Sequence, residues 1–272
     1  YVAFGLTNAA NDLARFCTEN HKRCVISIAH DDDFDFLVSD FGKDEYDNKR
    51  YLKQSTLNLA SLVVAQNSFQ LKELEKAGVA DSRRVLILNP IDIHPLSISH
   101  RRKFAMWVGR ADSNKNPMAL VRLAERLPKI EFLVVLGSKT DEVSFSRLTH
   151  LPANINIIFA VSPQDMRKLY LDSFCLISTS FKEGFPNTFL EAWETGIPVA
   201  SLHADPNFTL SHQNLGFHAK GNLEALADKI KEWSEMPEAS ARIGMRGRDY
   251  VEKNHHAELI QAQLINMFQS FG

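Results

Sequence analysis

Two glutamates, Glu183 and Glu191, with seven residues between them, frame the segment of this chain with the most chemistry in it: Lys182-Glu183-Gly184-Phe185-Pro186-Asn187-Thr188-Phe189-Leu190-Glu191, running on to Gly196-Ile197-Pro198. It follows an apolar run, 174–178, that reads as a buried strand. The segment therefore falls at a strand's C-terminal end, where open α/β sheets bind ligands. Gly184 lets the backbone turn tightly, and Pro186, with fixed φ and no N–H, suits a helix start. Gly196 and Pro198 supply the stop. The amides of Asn187, Thr188 and Phe189 then open a helix toward the crevice, and such an N-terminus binds phosphate through oriented donors and the positive end of the dipole. Glu191 follows about one turn later on the same side, placed to accept hydrogen bonds from two ribose hydroxyls. Glu183 precedes the turn and points past the phosphates. The competing reading is a pair of solvated acids, and the strand, turn and helix stop around them weigh against it.

A second signal lies in Phe104–Asn116. A buried strand ends in Gly109-Arg110, and Lys115 stands just before Asn116, which is placed to cap the next helix with Pro117 at its first position. Two cations beside a strand end are what a pyrophosphate requires, because its leaving charge has to be stabilised. Alone this is weak, since loop cations are commonly just solvated. Nearer the N-terminus, Ile28-Ala29-His30-Asp31-Asp32-Asp33 follows another buried strand and puts His30 and the aspartates at the cleft. A metal-binding Asp31-x-Asp33 pair and a solvated acidic loop are the alternatives there. Asn8 and Asn67 read as turn or capping residues. Asp205-Pro206-Asn207 is a plain turn or a loop touching ribose or sugar, and His255-His256 reads as an exposed helix start.

These residues need an α/β frame to hold them. Apolar residues make up 44% of the 272, enough for a sizeable core, and a net charge of −2 gives no general pull toward nucleic acid. The three cysteines, Cys17, Cys24 and Cys175, have no metal-ligand spacing and read as buried, reduced thiols of a cytoplasmic protein. No stretch is long and apolar enough to span a bilayer. Short runs rich in Val, Ile and Phe predict buried strands at 23–28, 62–65, 85–88, 104–108, 131–136, 155–159, 174–178 and 198–202. Helical spacing predicts helices over Met118–Leu127 and Leu223–Trp233, and a helical tail over Glu252–Gln269. The polar stretch Ile93–Lys103 reads as a linker. The expected domains are 1–98, 99–250 and a C-terminal helix, 251–272, that returns to the first domain.

Together the two chemical segments resemble glycosyltransferase family four of the GT-B fold, in which a Glu, seven residues, then Glu motif sits in a context such as EGFPNTFLEAWETGIPVAS. The family's Gly-Arg and following Lys match Gly109, Arg110 and Lys115, and LVVAQNSFQLKEL followed by LILNPID looks like the end of its first domain. The resemblance implies two Rossmann-like domains, the N-terminal one incomplete. It implies a sugar moved from an NDP-sugar donor to a saccharide or lipid-linked acceptor, with retention and with neither metal nor cofactor. Arg110, Lys115 and the amides of Asn187 and Thr188 would hold the diphosphate, Glu191 the ribose, and Glu183 the transferred sugar. The base would lie near Gly137 and Phe159–Val161, where Ala160 stands in place of the family's frequent Gly. His30 or Asp31 would orient acceptor or donor sugar. Because only part of the first domain precedes the linker, the sequence is expected to start inside a longer protein, whose missing part could touch a membrane peripherally. A non-catalytic nucleotide-sugar-binding subunit shares every donor motif, and a nucleotide-sugar epimerase is a more distant alternative.

Overall fold

The computed structural model describes residues 1–37, 43–96, 102–137 and 151–270. They form two compact units, Tyr1–Asn89 with Ile260–Gly272, and Pro90–Leu259.

In the first unit, β1 (Val2–Phe4), β2 (Val25–Ser27), β3 (Leu62–Ala65) and β4 (Arg84–Leu86) form a parallel sheet in that spatial order. Successive side chains point to opposite faces of a strand, and both faces are apolar here. Ile26 and Val63 join Leu57 and Leu74 in one cluster, with Ala10 and Ala14 of α1 (Asn8–Glu19). Val25, Leu62 and Val64 join Ile87 and Ile260 in the other. Leu57 comes from α2 (Lys43–Leu59) and Leu74 from α3 (Ser68–Lys76). Thr7 caps α1, its hydroxyl accepting from the Ala10 amide at 3.2 Å.

The second unit holds six parallel strands: β5 (Phe104–Gly109), β6 (Phe132–Leu136), β7 (Ile155–Phe159), β8 (Ser173–Ser178), β9 (Val199–Ser201) and β10 (Gly216–His218). Their spatial order is β10-β9-β8-β5-β6-β7. The chain builds outward from β5 through β7, then crosses to the other side of β5 and builds outward again. The switch therefore lies between β5 and β8, and a crevice opens there outside the strand ends. One sheet face, with Trp107, Val134, Ile177 and Ala200, packs on α4 (Pro117–Arg126) and α7 (Leu223–Glu235). The other, with Met106, Leu133, Leu176 and Val199, packs on α6 (Asn187–Glu194) and α8 (Pro237–Asn254). Two further helices are α5 (Pro163–Asp172) and α9 (Ala257–Ser270).

All eight predicted strands are present in some part, and β1 and β10 were not predicted. Each of these two is three residues long and partly exposed, too short to show a period. The helical tail is broken: α8 stops at Asn254 and α9 starts at Ala257. His255 is buried rather than exposed, its ring 5.0 Å from that of Phe185. The break is held by a parallel bridge between Ile91 and His256, in which the Ile91 amide donates to His255 O at 2.8 Å. Asn116 does not cap α4 with its side chain; its backbone is left-handed, at φ 48°.

The division after Asn89 precedes the boundary expected near residue 98, and its reason is one buried carboxylate. Glu194, at the end of α6 and 3% exposed, accepts from the His94 amide at 3.0 Å. The same Oε1 takes Arg167 at 3.1 Å and Arg248 at 3.2 Å. Arg248 also donates to His94 O at 2.7 Å, and Arg167 to Pro95 O at 3.2 Å. Residues 94 and 95 are thus tied to α5, α6 and α8. The rest of the expected linker over 97–101 lies outside the described residues.

α6 and α8 approach closely because α8 presents Gly244 and Gly247 to it. A Cβ on Gly247 would lie 2.2 Å from the Trp193 ring, and one on Gly244 2.1 Å from Gly196 O. Helix propensity alone makes Ala better than Gly by about 1 kcal/mol. Overpacking opposes it here, so Gly247→Ala should destabilise the protein by about 1–3 kcal/mol. Urea unfolding checks the sign; a stabilised variant would mean that the helices are not in contact as described.

Candidate functional site

The loops after β5 and β8 are knitted together at the switch. Trp107 pairs with Ile177 across the two strands, and its indole N–H donates to Thr179 Oγ1 at 2.9 Å. The same hydroxyl donates to Lys115 O at 2.6 Å. Asn114 O accepts from the Phe181 amide at 2.9 Å, while the Asn114 side chain brackets Lys182, accepting from its N–H at 3.2 Å and donating to its carbonyl at 3.0 Å. Asp112 Oδ1 turns the first loop by accepting from the Lys115 amide at 2.9 Å.

This framework sets the charged groups. Lys115 Nζ lies 2.5 Å from Glu183 Oε1, and that carboxylate's side chain is 7% exposed. Arg110 is exposed and pairs with Asp112 at 2.9 Å. The two cations read as a diphosphate clamp thus each have a carboxylate partner. A Cβ added at Gly109 would crowd the indole at 3.0 Å and touch the lysine Cδ at 3.4 Å.

Beyond Glu183 the chain enters α6 with Pro186 as its N-cap, at the helix start expected of it. The Phe189 amide, expected to open toward the crevice, instead donates to Pro186 O at 3.0 Å. The amides of Asn187 and Thr188 remain the first two of the helix. Gly196 has a left-handed backbone, at φ 67°, and ends α6 as expected. Glu191 lies on the second turn. Its Oε2 accepts from the Tyr170 hydroxyl at 2.7 Å, and Tyr170 itself is fully buried. Burial raises the Glu191 carboxyl above its ordinary range, and the tyrosine's hydrogen bond works against that rise.

At the far strand ends, the β6–β7 pairing puts Leu136 beside Phe159, so Gly137 and Ala160 follow as neighbours. Ala160 has φ 52°, and its amide donates to Leu136 O at 3.2 Å. A left-handed backbone favours glycine, which explains why a glycine suits this position.

In the first unit, Asp31 Oδ1 accepts from the side-chain amides of Asn67 at 3.1 Å and Gln70 at 3.0 Å. Burial raises its carboxyl, and both amide bonds lower it. Asn67 also caps α3, accepting from the Gln70 amide at 2.7 Å. Asp33 holds the loop: its oxygens accept from the amides of Leu6 and Ala29, both at 3.1 Å, and of His30 at 3.2 Å. The Asp31-x-Asp33 metal reading therefore loses Asp33 to the backbone. His30 is exposed at the end of β2. Asp205 caps its own turn, accepting from the Leu210 amide at 2.8 Å. Tyr170, Thr179, Asp112 and Asn114 were not singled out from the sequence, and of these Asp112 and Asn114, turn-forming residue types in the loop before Lys115, carried a signal there.

An all-parallel sheet whose strand order switches between β5 and β8, with cations after one strand and a helix N-terminus after the other, defines an open α/β domain of the kind that binds ligands at such a switch. The chain belongs to the family described as glycosyl transferases group 1, whose profile matches residues 90–250. Among curated relatives, the alpha-galactosylglucosyldiacylglycerol synthase of Streptococcus pneumoniae is 24% identical over 237 residues, 79% of this chain and 63% of that protein. The capsular polysaccharide biosynthesis glycosyltransferase CapM of Staphylococcus aureus is 27% identical over 143 residues, 51% of this chain and 38% of that protein. The chain thus spans less than two thirds of either relative. Among solved structures, sucrose-phosphate synthase from Thermosynechococcus elongatus superposes with a TM-score of 0.83 at 17% identity, over 99% of this chain and 73% of that one. Anabaena HepE, in complex with UDP and glucose, gives 0.76 at 19%, over 99% and 78%. These likenesses establish the fold, which is the GT-B type expected.

The strained backbone at Ala160 is open to test. Ala160→Gly should raise stability by about 0.5–1 kcal/mol, the relief of a left-handed alanine less the entropy of a more flexible unfolded chain. Urea midpoints decide, and a lowered midpoint would show that no such strain is present.

Proposed function

We propose that this chain binds the NDP-sugar donor of a glycosyltransferase that retains anomeric configuration without a metal ion. The observation that supports the reading is the Lys115–Glu183 ion pair across the β5–β8 switch, just before the chain opens α6. The diphosphate would lie between Arg110 and Lys115 on one side and the amides of Asn187 and Thr188 on the other. Those groups supply the charge neutralisation a departing phosphate needs. Glu191 would accept from the ribose, and Glu183 would face the transferred sugar. A diphosphate competes with Glu183 for Lys115, so donor binding and the state of Glu183 are linked through one ammonium. The departing phosphate would then take the acceptor's proton as the acceptor oxygen attacks from the same face, and no protein nucleophile is required. The base would rest near Gly137 and Ala160. His30 and Asp31 are proposed to orient the acceptor or the sugar. HepE was solved with UDP and glucose, which makes UDP the first probe to use. The acceptor is proposed to be a saccharide or a lipid-linked one, in line with the names of the curated relatives.

Calorimetry with UDP and GDP should give the same affinity with and without EDTA. A strict divalent-metal requirement would defeat the assignment of charge neutralisation to Arg110, Lys115 and the helix.

The two glutamates should separate by role. Glu191→Ala should weaken NDP binding by about 10- to 100-fold, the loss of a hydrogen bond to a charged group, and should weaken nucleoside binding alike. Glu183→Ala frees Lys115, so NDP affinity should hold or rise while turnover of the complete enzyme falls. Equal losses of NDP affinity in both variants would reduce the motif to a structural helix start.

A further inference from the structure

The geometry points to Tyr170 as a positioning residue for Glu191, one that fixes the carboxylate's orientation and keeps it an acceptor for the donor's ribose; this rests on the donor-site reading above. The residue sits on α5 and belongs to neither chemical segment of the sequence. By position it is a core aromatic, with 1% of its surface exposed, packed among Leu176, Phe189 and Trp193. A buried phenol needs a hydrogen-bond partner, and this one takes Glu191 Oε2 at 2.7 Å. A carboxylate can turn about its terminal torsion. Donation from a ring held on all sides removes that freedom and leaves Oε1 as the oxygen able to meet a ligand hydroxyl.

The surroundings of Glu191 make this donor matter. On α5, Arg167 is engaged with Glu194, and Asp165 pairs with Lys168. On α8, Arg248 is engaged with Glu194 and Glu252, and the Tyr250 ring packs on Trp193 at 5.8 Å. β8 presents Leu176 on this face, its buried Cys175 lying on the opposite one, and β9 carries no ionisable side chain. No cation among the described residues compensates the Glu191 charge. Burial favours its neutral form, and the hydrogen bond from Tyr170 opposes this. A protonated Glu191 would be a poorer acceptor for ribose, so donor affinity should fall as pH falls through the Glu191 pKa. Without the phenol that pKa is higher, and the fall should begin at a higher pH.

The test is UDP affinity by calorimetry between pH 5 and pH 8, with thermal melting in parallel. Tyr170→Phe should lower UDP affinity about 3- to 10-fold at pH 7, the net worth of one hydrogen bond. It should also move the acid limb of the profile to higher pH and narrow the preference for UDP over 2′,3′-dideoxy-UDP. The terminal phosphate of UDP also takes up a proton in this range, at about pH 6 as phosphate monoesters do, so Glu191→Gln should leave only the phosphate's part of the acid limb. Site-specific 3-fluorotyrosine at position 170 keeps the ring and is a stronger donor, so it should move the limb to lower pH even if the phenylalanine variant does not fold. A limb that stays in place in the phenylalanine or fluorotyrosine protein, with Glu191→Ala still weakening UDP, overturns the role of Tyr170 alone. A wild-type chain that binds neither UDP nor GDP at any pH overturns the donor-site reading, and this one with it.

Discussion

A single hydroxyl joins the two halves of the candidate site. Thr179, at the end of β8, accepts from the Trp107 indole and donates to the carbonyl of Lys115. Through it the core of the sheet, the loop after β5 and the loop after β8 share one reference point. The constraint comes from topology: reversing the strand order between β5 and β8 leaves two strand ends side by side with no crossover helix between them. Whatever the loops carry is brought together there, and a buried polar bridge keeps it from drifting. Lys115 and Glu183 meet across 68 positions of chain because of this.

A second buried charge does the equivalent on the opposite end of α6. Glu194 gathers Arg167, Arg248 and the backbone at His94. Charge, desolvation and hydrogen bonding balance only because all the partners are present, so removing one would leave an uncompensated group. The helix that opens on the crevice at Asn187 is thereby anchored at its far end, and α8 can press against it through glycines. Precision at the crevice is then a property of packing as much as of the loops.

Much of this was legible in the residues. Apolar runs marked the strands because both faces of each sheet are covered, and Val25, Ile26 or Leu133, Val134 need no polar alternation. The Glu183 and Glu191 segment was legible because strand, turn and helix stop follow one another in sequence. What was hidden depends on distant partners. Tyr170 looks like any core aromatic until Glu191 is seen beside it, and Asp33 looks like a ligand until three amides are found on it. Asn116 has a capping residue's identity but a left-handed backbone, and Phe189 spends its amide on Pro186; backbone angles of this kind leave no mark in composition.

The placement of Ile260 bears on how the protein is made. It lies on α9, yet it completes the apolar cluster over Val25, Leu62, Val64 and Ile87 in the first unit. Synthesis runs from the N-terminus, so this face of the first sheet lacks one of its apolar partners until residue 260 has been made. The first unit is thus sewn from two ends of the given chain, and its second sheet face is completed by a residue made after all of Pro90–Leu259.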